Sequence, residues 1–186
     1  MTTKLTLFTA TLVQDSALAV SGLDRETSAD LPFALVETNV NGVRRLMPTL
    51  VGRGLKGAAV AMARRFFEHP PHPVGDALKG GEKRALRRSA WEFEDATCEA
   101  EPRLRAGVGI RHKTGARASG VLYDREVIPA GTRWQLRFRV DRSYALDDAE
   151  FTEAEGILGY VLAEHWAKGR CWLGGGSARG LGWCSP

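Results

Sequence analysis

Apolar and polar positions follow strand or helix periods in several separate stretches of this chain. Residues 4 to 13 (Lys-Leu-Thr-Leu-Phe-Thr-Ala-Thr-Leu-Val) are rich in β-branched and apolar types and read as a central strand. Residues 14 to 31 are polar and turn-prone, with Asp15, Ser21, Gly22, Asp24, Ser28 and Asp30; a segment this long reads as a functional or flexible loop. Phe33 to Glu37 and Val43 to Met47 flank Asn41-Gly42, a hairpin signal because both residues tolerate positive φ, and Pro48 is expected to end that hairpin. From Gly52 to about Phe67 the spacing of Leu55, Ala59, Met62 and Phe66 predicts a helix with that stripe buried. His69-Pro70-Pro71-His72-Pro73 breaks it, Lys79 to Trp91 fits a basic helix, and Glu92 to Glu101 reads as an exposed or strand-edge stretch.

Further along, Val108 to Lys113 and Val121 to Ile128 are strand-like around the turn residues Thr114-Gly115. Pro129-Ala130-Gly131 then turns the chain again. Thr132 to Asp141 alternates cleanly, with Trp134, Leu136, Phe138 and Val140 on one face and Arg133, Gln135, Arg137 and Arg139 on the other. Thr152-Glu153-Ala154-Glu155 fits a capping box, opening a helix that turns Leu158, Val161, Leu162 and Trp166 inward and stops at Gly169. Arg170 to Leu173 starts a last strand. The order strand, helix, strands, helix, strand predicts a ferredoxin-like (RRM-like) α+β layer: one antiparallel sheet backed by two helices.

Composition narrows the class. At 186 residues and 44% hydrophobic the chain suits one well-buried domain. No apolar run approaches the length of a membrane span and Met1-Thr2-Thr3-Lys4 does not lead into a signal sequence, so a soluble, cytoplasmic protein without membrane contact is expected. Cys98, Cys171 and Cys184 lack metal-site spacing and are expected as reduced thiols. The net charge of +4 points only weakly to a polyanion. Its distribution is more telling: Lys79, Lys83, Arg84, Arg87 and Arg88 cluster, and Arg103, Arg105, Arg111, Lys113 and Arg117 follow an acidic patch.

Two places are suited to anions. The stretch from Leu173 to Trp183 holds five glycines, Ser177 and Arg179 between two tryptophans; such a loop can turn successive N–H groups toward a phosphate, and Arg179 adds a forked cation. The stretch Gly52-Arg53-Gly54-Leu55-Lys56-Gly57 opens the first helix, where unpaired N–H groups and the helix dipole favour negative charge. Neither is a Walker loop, since no lysine follows the late glycines. Neither is a dinucleotide fingerprint, because the sixth position counted from Gly174 is Arg179. His69 and His72 lack a third metal ligand nearby, and His165 lies beside the buried stripe as a packing residue.

Several segments together resemble the RAMP superfamily of CRISPR-associated proteins. Leu46-Met47-Pro48 followed by Gly52 to Gly57 is similar to its "Ile-Pro-Gly-Ser-Ser-Leu-Lys-Gly" element. Gly109 to Ala116, Leu122 to Glu126 and Pro129 to Thr132 resemble its "Ile-Asp-Arg-x-Thr-Gly-x-Ala … Leu-Phe-x-x-Glu … Pro-x-Gly-Thr" block. Gly174 to Gly182 resembles its C-terminal glycine loop. The likeness is greatest to the backbone subunit of type III effector complexes. It implies a single domain with a palm core (about 4–13, 33–69 and 132–184), a β-hairpin thumb (about 107–131) and a flexible loop (14–31). It implies a subunit that binds guide RNA along its phosphates, takes part in target RNA recognition, and has as partners copies of itself and other CRISPR effector subunits. The implied RNA contacts are Arg53, Lys56, Gly57, Arg111, His112, Lys113, Gly175, Gly176, Ser177, Arg179 and Gly180. Asp30-Leu31-Pro32 resembles the family's "Asp-x-Pro", which implies a catalytic aspartate at Asp30, with Asp24 as rival, cleaving target RNA with magnesium or another divalent metal. Two alternatives stand beside this. One is an endoribonuclease of the same superfamily that processes precursor guide RNA through His112, His69 or His72. The other is a non-CRISPR RNA-binding module with a recognition-motif sheet, echoed by Arg179 to Trp183.

Overall fold

The structure, a computed structural model, describes residues 4–22, 28–67, 88–110 and 117–185, with the backbone alone at 109–110 and 117–121. Its centre is a five-stranded antiparallel sheet ordered β4-β8-β1-β10-β9. β1 (Leu5–Gln14) pairs with β8 (Arg133–Asp141) from Leu5 opposite Asp141 to Val13 opposite Arg133. β4 (Trp91–Phe93) lies outside β8; β10 (Trp183–Ser185) and β9 (Cys171–Trp172) follow β1 on the other side. The alternation read in the sequence of β8 is the one observed: Trp134, Leu136, Phe138 and Val140 are all at most 1% exposed. Phe8, Leu12 and Gln14 of β1 share that inner face, since pleated neighbours in register point the same way.

Two helices cover the inner face. α1 (Gly52–Phe66) buries Leu55, Ala59 and Met62 as its spacing predicts, but Phe66 is half exposed and stacks on His165 with ring centroids 4.2 Å apart. α2 (Asp148–Tyr160) begins a turn earlier than the capping box at Thr152 implies. Asp147 is the cap, its carboxylate accepting from the Glu150 N–H at 2.8 Å, and the extra turn buries Phe151. Thr152 instead donates to the Asp148 carbonyl. A π turn (Val161–His165) and a 3₁₀ turn (Trp166–Lys168) prolong α2 until Gly169 stops it in the left-handed region. The Trp91 indole N–H donates to the Ala154 carbonyl at 2.8 Å, tying β4 to α2. That placement corrects the expected basic helix at its end, because Trp91 opens a strand; Lys79 to Arg87 lie outside the described residues.

Two hairpins project from this core. β2 (Leu35–Val40) and β3 (Val43–Leu50) turn at Asn41 (φ 53°) and Gly42 (φ 84°), as the sequence predicts. Pro48 does not end β3: it faces Leu35 of β2, and β3 runs on to pair with β5 (Ala96–Thr97). The second hairpin, β6 (Arg103–Ile110) and β7 (Arg117–Val127), is longer than expected, each strand beginning before the predicted Val108 and Val121. Where it leaves the sheet, the Gln14 side chain is buried. Its amide donates to the Ile128 and Pro129 carbonyls, both at 3.2 Å, while its carbonyl accepts the Trp134 indole N–H at 2.6 Å. A buried amide with all its groups satisfied fixes geometry well, and here it fixes the root of the hairpin.

The stretch between β1 and β2 is not loose where it is described. Leu18 exchanges N–H and carbonyl bonds with Ile128, Ala17 and Ala19 accept from Gly182 and Gly175, and Leu31 bridges β7 at Arg125. Among the described residues no helix is long and apolar enough to cross a membrane.

Candidate nucleic-acid interface

The glycine-rich stretch is the loop of the β9–β10 hairpin. Trp172 and Trp183 face each other at its root with ring centroids 5.0 Å apart, so the flanking tryptophans tether it as their positions predict. Four of its glycines lie in the left-handed region: Gly174, Gly176, Gly180 and Gly182, at φ of 70°, 81°, 76° and 77°. Many of its N–H groups are already used. Those of Gly175 and Gly182 go to Ala19 and Ala17; those of Arg179, Gly180 and Leu181 close bonds within the loop. The loop is thus a rigid shelf rather than an open nest. It presents Ser177, Ala178 and Arg179 outward on a single 3₁₀ turn.

The shelf meets the root of the long hairpin. Arg179 donates through its guanidinium to the Tyr123 hydroxyl on β7, and the Arg125 guanidinium lies over Gly176 and 5.8 Å from the Tyr123 ring. The end of the Tyr123 ring lies against Gly107 of β6: a Cβ there would sit 2.4 Å from the ring, so any larger residue at 107 would push Tyr123 aside. Between hairpin and shelf is a groove of about 240 Å³, to which Arg105, Tyr123, Arg125 and Arg179 contribute. Register puts Arg105 directly opposite Arg125 and Gly107 opposite Tyr123 on one face of the hairpin; Asp124 and Glu126 alternate to the other. Among the described residues no carboxylate lines the groove.

The start of α1 is different. Its first N–H, from Gly52, donates to the Asp95 carboxylate at 2.6 Å, and those of Gly54 and Leu55 go to the Val51 carbonyl. Lys56 turns aside to donate to the Trp91 carbonyl at 2.9 Å. Burial pulls its pKa below the ordinary lysine value, Glu92 raising it and Arg88 lowering it by smaller amounts. Arg53 and Gly57 are exposed. The helix start adjoins the β4 edge of the sheet, with β8 and β1 between it and β10, roughly 15 Å away by strand spacing.

Asp30 is exposed and sits at the hairpin root, its Oδ2 accepting the Asp124 N–H at 2.8 Å, while the Phe33 N–H donates to Glu126 at 2.8 Å. Among the described residues no three His, Cys, Asp or Glu side chains cluster as a metal cage. The Asp30 donor set suits only a cation that draws further ligands from phosphate, as magnesium does. Asp24, Arg111, His112, Lys113, His69 and His72 lie outside the described residues. His165 is buried, its Nε2 has no partner among the described residues, and burial lowers its pKa first, with Arg170 adding to the effect; it packs rather than reacts. Cys98, Cys171 and Cys184 are free, buried thiols.

The structure therefore joins Gly175, Gly176, Ser177, Arg179 and Gly180 to the hairpin and sets Arg53, Lys56 and Gly57 apart from them. Arg105, Tyr123 and Arg125 belong to the groove: Tyr123 and Arg125 lie within the Leu122 to Glu126 motif and Arg105 within the second basic run, but none is among the RNA contacts that the resemblance implies. No local signal sets Arg105 against Arg125: the register changes by three residues between the Ile110–Arg117 and Val108–Leu122 pairs, and only the observed pairing brings the two arginines opposite. The open sheet face also bears on the alternative of a recognition-motif sheet. Its middle strands carry Leu7, Thr9, Thr11, Gln135 and Arg137 there, and the tryptophans lie only at the β9–β10 edge.

No protein-family model matches the sequence, and no curated protein matches it. The structure is similar to a chain of a solved structure described as "Type IV-B CRISPR Complex". The TM-score is 0.61, the match covers 97% of this chain and 89% of that one, and 17% of residues are identical, so the likeness is one of fold.

Proposed function

We propose that this chain is a RAMP-type backbone subunit of a CRISPR effector complex, binding guide RNA along its phosphates and taking part in target RNA recognition. The observation that carries the reading is the meeting of the glycine shelf with the root of the long hairpin in a cationic groove. In this reading β1, α1, β4, β8, α2 and β10 are the βαββαβ palm and β6–β7 the thumb; the antiparallel order β4-β8-β1-β10 with two helices on one face supports it. The motifs resemble type III backbone subunits, while the structural likeness is to a chain of a type IV-B complex. A guide-bound, repeating subunit alongside other effector proteins is the role that covers both. Such a subunit reads backbone and shape, leaving sequence to base pairing.

The test is binding of single-stranded RNA, by the chain alone and with its partner subunits, over a range of salt. Affinity that falls steeply with salt and varies little with sequence is expected. No salt-dependent affinity under either condition would remove the reading. Target cleavage at Asp30 is an attached proposal, with Asp30 helping to hold a divalent metal that supplies charge stabilisation at the scissile phosphate. Asp30→Ala is expected to stop target cutting with guide binding intact. Cutting retained in that variant would move the role to another residue.

A further inference from the structure

Arg105 and Arg125 face each other directly across β6 and β7, an arrangement that repels: like charges opposite one another weaken a strand pair. Arg179 brings a third guanidinium to the same groove. None of the three has a carboxylate partner among the described residues, whereas Arg139, Arg142 and Arg88 elsewhere on the surface each hold an acid. Arg125 lies along the glycine shelf, and Arg179 is held by the Tyr123 hydroxyl, so two of the three are already positioned before any ligand arrives. A positioned, unneutralised cluster in a groove of about 240 Å³ has the size and charge for a nucleotide.

We propose that Arg105, Arg125 and Arg179 form a seat for one phosphodiester of single-stranded RNA, with the adjoining sugar or base against Tyr123. The inference rests on the RNA-binding reading and deepens it: the grip lies at the thumb root, not at the start of α1. The bound phosphate neutralises the Arg105–Arg125 rung, so RNA binding and hairpin stability are linked through this rung. Each arginine acts by charge and by forked hydrogen bonds to phosphate oxygens, so replacing it weakens all sequences alike.

The experiment measures RNA affinity against salt, and the unfolding midpoint without RNA, for the intact chain and for Arg105→Gln, Arg125→Gln and Arg137→Gln. Arg137, on the open sheet face, controls for the change in net charge. Arg105→Gln and Arg125→Gln are expected to weaken RNA binding roughly tenfold or more, with the salt slope smaller by about 0.7 for each phosphate no longer neutralised. Arg105→Gln should raise the unfolding midpoint of the free chain, because it relieves the rung. A purely structural role would lower both quantities together, and that result overturns the seat. Equal losses in Arg137→Gln and Arg125→Gln also overturn it, while leaving the subunit reading in place. Titration with inorganic phosphate and AMP separates the sources of phosphate. If these occupy the groove and RNA does not bind the intact chain, the RNA half of the proposal and the subunit reading both fall.

Discussion

Two glycine-rich places on this chain look alike in sequence and behave differently in the fold. The opening of α1 and the β9–β10 loop each combine closely spaced glycines with one or two cations, and each promises N–H groups for a phosphate. At α1 the protein supplies its own anion: Asp95 takes the Gly52 N–H, and Lys56 is spent on the Trp91 carbonyl. At the loop the N–H groups are largely consumed too, but the charge is not. Arg179 joins Arg105 and Arg125 in a groove that no described acid lines. Glycine content therefore does not mark the anion site; the two places differ in that α1 turns Lys56 onto a carbonyl and its first N–H onto a carboxylate, whereas three guanidiniums converge at the loop.

The comparison breaks most sharply at the glycines themselves. Gly182 sits at φ 77°, and a Cβ there would stand 1.9 Å from the Leu173 carbonyl oxygen. That oxygen belongs to the strand end that receives the loop, so it can move only by opening the hairpin. Gly182→Ala should cost about 3–5 kcal/mol and weaken RNA binding with it, read by denaturant unfolding and RNA titration. Gly54→Ala in α1 meets nothing within 4 Å and should instead gain up to about 1 kcal/mol through helix propensity. Equal effects at the two positions would mean that the loop is not a rigid element.

What the sequence makes legible follows from the range of the interactions involved. The β8 alternation, the Asn41-Gly42 turn and the α1 stripe are local, and the fold agrees with them except at Phe66, the last residue of the stripe, which is half exposed. The start of α2 lies a turn before the Thr152 to Glu155 capping box: Asp147 caps it instead, and the extra turn buries Phe151, a tertiary gain that the local box does not reveal. Trp91 fits the end of a helix by composition, but it becomes strand through its register with Val140 and its bond to Ala154. For the site, Arg179 and its glycines stand close together in the chain and are visible there. Arg105 and Arg125 become neighbours only through hairpin register, and Lys56 is withdrawn by a carbonyl from a distant strand.

A middle-sized effect is expected at Asp95. Its carboxylate holds the Gly52 N–H, so Asp95→Ala should lower stability by about 1–2 kcal/mol, the usual cost of losing a helix N-terminal cap. RNA affinity should stay unchanged if α1 lies off the phosphate path. A gain in affinity would mean that the freed helix start captures a phosphate, and the two regions would then work as one track.

The smallest effect concerns Lys56. Its pKa is lowered from the ordinary 10.5, chiefly by burial, so on the alkaline side the unfolded chain holds this proton when the folded chain has begun to release it. Stability from this group therefore rises with pH from the lowered folded value up to the unfolded one, and its burial penalty is fully felt at neutral pH. Against Lys56→Met, the intact chain should gain relative stability as pH climbs toward 10.5, measured as the difference in unfolding midpoint between the two. RNA settled on Lys56 would keep the ammonium charged and flatten that slope. A slope unchanged by saturating RNA is what a lysine committed to the Trp91 carbonyl predicts, and its loss on RNA addition would return α1 to the binding surface.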